Sequence, residues 1–113
     1  MGSQLGAMAK RPGPYRLEIE SRVDEELDAL RAFDARPIVR AIDELEHHAE
    51  LETRNRKPLR KPIADLPGAS WEVRVGDYRV LYQVRKDRTV KVLGVIFKGR
   101  LTTDEALTWR RRE

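Results

Sequence analysis

Residues 66–84 read LPGASWEVRVGDYRVLYQV, and their alternation decides the fold. Trp71, Val73 and Val75 alternate with Glu72 and Arg74. Tyr78, Val80, Tyr82 and Val84 alternate with Arg79, Leu81 and Gln83. A period of two places successive side chains on opposite faces of a strand, so each segment reads as a strand with one buried face. Gly76-Asp77 between them is a tight-turn signal, and the pair reads as a β-hairpin. The preceding Leu66-Pro67-Gly68 closes a loop.

Downstream, Lys86-Asp87-Arg88 turns again, and Val90 to Phe97 is apolar enough for a central strand. Thr102-Thr103-Asp104-Glu105 has the form of a capping box for a short C-terminal helix, with Arg110, Arg111 and Arg112 at its negative end. Upstream, Pro58 and Pro62 exclude a regular helix from the basic stretch between Thr53 and Lys61.

Before that stretch the period changes to that of helices. Ile38, Ala41, Ile42, Leu45 and Ala49 line one helical face, and Pro37 suits a first turn. An earlier helix carries Val23, Leu27 and Leu30, with Ser21 as its N-cap and Asp24, Glu25 and Glu26 in its first turn. A break over 33–36 makes the two a helical hairpin. Tyr15, Leu17 and Ile19 alternate with Arg16, Glu18 and Glu20 as a further strand. Residues 1–14 show no periodicity and are expected to be a disordered tail, with Met1-Gly2-Ser3 resembling a cloning remnant. The expectation is one domain over 15–113. It is an α+β fold: a small antiparallel sheet with an N-terminal strand, a helical hairpin on one face, a three-stranded meander and a short C-terminal helix. The other sheet face is expected to stay open to solvent.

The 113-residue length leaves room for one domain only. Charged residues make up 37% of it, against roughly 25% in ordinary globular chains. The absence of cysteine excludes disulfides, thiolate catalysis and Cys-based metal sites. No run approaches the about 18 apolar residues of a membrane helix, so a cytoplasmic protein without a membrane partner is expected. Charge divides along the chain: 12 acids face 5 bases over 16–52, whereas 16 bases face 7 acids over 53–113. Such asymmetry points to one surface that meets phosphates. His47 and His48 are adjacent and diverge by about 100° on a helix, which suits a shared metal poorly.

The chemistry then follows from the faces. Glu72, Arg74, Arg79 and Gln83 project away from the helices, and Lys98 and Arg100 follow the last strand. Arg54, Arg56, Lys57, Arg60 and Lys61 form a flanking basic segment suited to an RNA backbone. A cluster of cations repels itself, and charge-assisted bonds to phosphate relieve the repulsion. Pairing of Arg74 with Glu72 or a helix carboxylate is the structural alternative.

The core Gly76-Asp77-Tyr78-Arg79-Val80-Leu81-Tyr82, after a helical hairpin and before a Val-rich strand with a basic tip, resembles the RelE/ParE superfamily of toxin–antitoxin toxins. The resemblance spans Tyr15 to about Leu107. It implies the activity of the RelE branch: metal-independent, ribosome-dependent cleavage of mRNA in the A site, inhibition of translation, and restraint by a cognate antitoxin. No cofactor is implied. By position Arg79 matches the family's transition-state arginine, Arg74 a basic residue on the preceding strand, and Arg100 or Lys98 the basic residue after the last strand. Glu72 stands where RelE has a lysine, and serves either as a general base or as the partner of Arg74. Ala106 stands where RelE has a C-terminal tyrosine. The ParE branch, which binds DNA gyrase and cuts nothing, is the alternative, together with an RNA-binding homologue that has lost catalysis.

Overall fold

The alternation of residues 71–84 folds as the hairpin it predicts. In the computed structural model, which describes residues 14–98, the elements are β1 (Arg16–Ile19), α1 (Ser21–Asp28), α2 (Ala32–His48), β2 (Arg56–Pro58), β3 (Trp71–Val75), β4 (Tyr78–Val84) and β5 (Thr89–Phe97). They form one five-stranded sheet in the order β1-β5-β4-β3-β2. The β2–β3, β3–β4 and β4–β5 pairs are antiparallel, while β1 runs parallel to β5. The helical hairpin supplies the crossover that a parallel pair requires. The expected C-terminal helix lies outside the described residues.

Gly76 takes φ +59°, which suits a tight hairpin turn. At the second turn Arg88 takes φ +67° in place of a glycine, and Thr89 N–H donates to Asp87 Oδ1 at 3.0 Å. Helix α2 begins at Ala32, so Pro37 lies inside it and the break falls over 29–31, not 33–36. The extra first turn is anchored at Arg31, whose carbonyl accepts from both Asp34 N–H and Ala35 N–H, with an Arg31–Asp34 ion pair at 3.6 Å. Ser21 is the first residue of α1 and not its cap; Glu20 precedes it without a side-chain capping bond.

Two cores sandwich the sheet. Under the helices lie Val23, Ile38, Ile42 and Leu45 against Val73, Val80, Tyr82, Val90, Val92 and Val95. The Tyr82 hydroxyl, fully enclosed there, donates to Ala49 O at 2.7 Å. The opposite face is not left open as expected. Ile63, Leu66 and Ala69 from the loop before β3 cover Leu81 and Ile96, joined by Leu59 and Leu93. These outward residues are apolar, and burying them beneath a loop removes that surface from water.

A bulge in β5 makes both faces apolar. Leu81 pairs with Gly94 and Tyr82 with Val92, so Leu93 is the extra residue. It resets the alternation and keeps Val92 and Val95 on the helix side. Beyond the end of β1, α1 takes over at the β5 edge: Val95 N–H donates to Glu26 Oε1 at 2.8 Å.

Candidate anion-binding site at the hairpin turn

Register places Arg74 of β3 directly opposite Arg79 of β4, both on the face away from the helices. The next β5 residue across is Ile96. The two guanidinium groups differ sharply in environment. Arg74 is exposed, whereas Arg79 is only 6% exposed. Arg79 Nη1 donates to Tyr78 O at 2.9 Å and to Gly76 O at 3.1 Å. Its Nε is enclosed with no partner among the described residues. Burial, then the neighbouring Arg74 charge, holds its pKa below the usual guanidinium value, with Glu72 and Asp77 acting in the opposite sense. The expected solvent-facing Arg79 is therefore corrected: its guanidinium folds back onto the turn carbonyls, which a long side chain beside an open turn can reach.

Lys98 joins this end of the sheet because its N–H donates to Asp77 O at 2.7 Å. Glu72 lies two residues from Arg74 on the same face, and β2 brings Lys57 opposite it. The cluster thus gathers Lys57, Glu72, Arg74, Arg79 and Lys98. Arg100 lies outside the described residues.

The other half of the outer face is neutralised. Lys91 of β5 pairs with Glu20, just after β1, at 3.1 Å, and Arg85, just after β4, with Glu18 of β1 at 4.0 Å. The excess positive charge consequently collects at the β3–β4 turn.

The basic segment divides. Arg54, Lys57, Arg60 and Lys61 are exposed. Arg56 is buried, which contradicts its expected place on an RNA-facing surface. As the partner of Val73 it faces the helices, donates from Nη1 to Leu51 O at 3.2 Å, and lies 3.7 Å from Glu44. Strand β2 imposes this, because alternation sends Arg56 inward while Lys57 goes outward. A three-residue strand that ends at Pro58 is too short for its periodicity to have revealed it.

The comparisons with known proteins bear on this arrangement. Residues 17–100 match the family model described as the ParE toxin of the type II toxin–antitoxin system parDE. The chain belongs to that family. It is a toxin of RelE/ParE type, with the fold of the RelE toxins. A chain of the archaeal RelE–RelB complex from Pyrococcus horikoshii OT3 is 28% identical with a TM-score of 0.62, the match covering 77% of this chain and 98% of that one. A chain of the toxin–antitoxin complex RelBE2 from Mycobacterium tuberculosis is 29% identical with a TM-score of 0.50, over 73% and 95%. The isolated E. coli RelE toxin, 20% identical with a TM-score of 0.56 over 88% and 99%, shares the fold. No curated protein matches this chain. No helix among the described residues of this toxin is long and apolar enough to cross a membrane.

Proposed function

We propose that this toxin cleaves mRNA in the ribosomal A site and that an acidic antitoxin holds it inactive. The observation that carries the reading is the Arg74–Arg79 pair, two guanidinium residues directly opposite each other across β3 and β4, with Lys57 and Lys98 at the same end of the sheet. Like charges directly across a strand pair cost stability, and a phosphate between them reverses the sign of that cost.

In the reaction a ribose 2′-OH attacks the adjacent phosphorus, the bond to the 5′-oxygen breaks, and a cyclic phosphate and a 5′-OH result. Negative charge grows on the phosphoryl oxygens as the attack proceeds. Arg74 makes the phosphate contact, and Lys98 with Arg100 adds cationic charge after β5. Arg79, held by carbonyls, fixes the turn and raises the local potential. Glu72 is the cluster's carboxylate and takes the proton of the 2′-OH, while a water molecule gives the departing 5′-oxygen the proton that makes it the 5′-OH. Arg54, Lys57, Arg60 and Lys61 follow the RNA backbone nearby. Antitoxin binding is supported by the similar chains from Pyrococcus horikoshii and Mycobacterium tuberculosis, both from complexes with antitoxin partners.

A second reading follows from the family model, which is that of ParE, and from Glu72 standing where RelE has a lysine. In it the basic cluster docks on gyrase. Induced expression in bacteria separates the two. Primer extension should reveal mRNA cut within translated codons, with plasmid supercoiling intact. Relaxed plasmid with uncut mRNA would assign the toxin to gyrase.

A further inference from the structure

A groove of about 350 Å³ runs between α2 and the β2–β3 edge and is bordered at β3 by Arg74 of the hairpin-turn cluster. Its walls are aliphatic: Pro37 and Ala41 from α2, Val73 and Val75 from β3. Arg40 and Glu44 of α2, Arg56 of β2 and Arg74 of β3 supply its charges.

Arg56 is the informative residue. It is 7% exposed, yet only one of its guanidinium nitrogens has a hydrogen bond among the described residues, Nη1 to Leu51 O. Its Nε is enclosed and unpartnered, and Nη2 lies 3.7 Å from Glu44 Oε1, beyond hydrogen-bond distance. Glu44 is itself half in solvent, with 55% of its side chain exposed. Buried guanidinium groups normally have their donors satisfied, because an unmade bond forfeits the solvation lost on burial. Here a charged group at the foot of an open groove is left half satisfied.

We infer that this groove receives a carboxylate-bearing, partly apolar segment of the antitoxin, with one acidic side chain seated between Arg56 and Arg40. The inference rests on the antitoxin reading above and adds where the antitoxin docks. The lining favours peptide over RNA. It offers aliphatic walls for neighbouring side chains and no aromatic ring on which a base would stack. Three arginines outnumber the single Glu44, so an incoming carboxylate completes the guanidinium bonds of the buried Arg56.

The test titrates the full-length toxin at fixed salt with the polypeptide encoded beside its gene, which the antitoxin reading expects to be short and acidic. Arg40→Glu should weaken binding at least tenfold. Ala41→Glu, which fills the groove with a tethered carboxylate, should weaken it similarly. Arg16→Glu on β1, at the far edge of the sheet, makes the same charge change as Arg40→Glu and should stay within twofold. Arg56→Gln is included with a thermal melt, and counts only if the variant remains folded. In cells, Arg40→Glu should still arrest growth but escape rescue by the antitoxin. Equal affinity of wild type, Arg40→Glu and Ala41→Glu would overturn the groove while leaving the antitoxin reading intact. Loss of binding to a single-stranded 12-mer RNA, with antitoxin affinity unchanged, would reassign the groove to RNA. If wild type itself fails to bind the polypeptide, the antitoxin reading falls and this inference falls with it.

Discussion

Arg74 and Arg79 face each other across the β3–β4 pair, one exposed and the other folded onto the carbonyls of Gly76 and Tyr78. The pairing creates a division of labour between two residues of identical chemistry. One guanidinium reaches solvent, while the other is bonded to the carbonyls of the turn.

Arg74→Gln should separate function from stability. Removing one of two opposed cations relieves a repulsion worth up to about 1 kcal/mol, so urea melts should show equal or slightly higher stability. Loss of a charge-assisted phosphate contact should slow cleavage of ribosome-bound mRNA by about 10²-fold or more. A destabilised but fully active variant would make Arg74 a structural residue.

Arg79→Ala should destabilise the fold. Two hydrogen bonds from a buried charged donor disappear, and the Gly76 and Tyr78 carbonyls each lose one. The expected cost is about 1–3 kcal/mol, seen as a lower urea midpoint at constant m. Arg85→Ala, exposed on the loop after β4, should stay within about 0.5 kcal/mol. If the two variants melt alike, the carbonyl contacts of Arg79 carry no stability.

Tyr82→Phe isolates one hydroxyl. The ring stacks beside Trp71 at 6.2 Å, and the substitution keeps that packing while removing the bond to Ala49 O. Leaving a buried carbonyl without this donor should cost about 1–2 kcal/mol in urea melts. A neutral result would mean that water replaces the hydroxyl.

Alkaline pH should weaken the fold through its tyrosines. Tyr15, Tyr78 and Tyr82 are all raised above their ordinary value, chiefly by burial, with Glu50 adding to the effect at Tyr15. The unfolded chain therefore releases these protons first, near pH 10. Their contribution is complete below pH 10 and is lost as pH rises from there through the folded values. Urea midpoints should fall above pH 10, less steeply in Tyr82→Phe. Phenolate absorbance developing fully at pH 10, with native circular dichroism retained, would contradict this.

The order of elements was legible in the sequence because each segment carries its own period. Trp71 to Val84 alternates around Gly76-Asp77, and Ile38 to Ala49 repeats at helical spacing. These are local properties, set by side-chain direction within a few residues. The cluster of Glu72, Arg74, Arg79 and Lys98 was legible for the same reason, since alternation alone sends the first three to one face.

Only the tertiary structure decided the rest. The start of α2 at Ala32 depends on its Arg31 anchor, and Pro37 alone misplaces it. The Leu93 bulge is invisible in an unbroken apolar run, yet it turns Val92 and Val95 to the same core. Arg56 is buried because a three-residue edge strand pairs it with Val73, a partner 17 positions away. Arg79 shares its sequence pattern with Arg74, and the nearby carbonyls distinguish them. Periodicity assigns a side chain to a face of its strand. Whether that face meets water, a loop or another guanidinium depends on residues distant in sequence, and only their packing settles it.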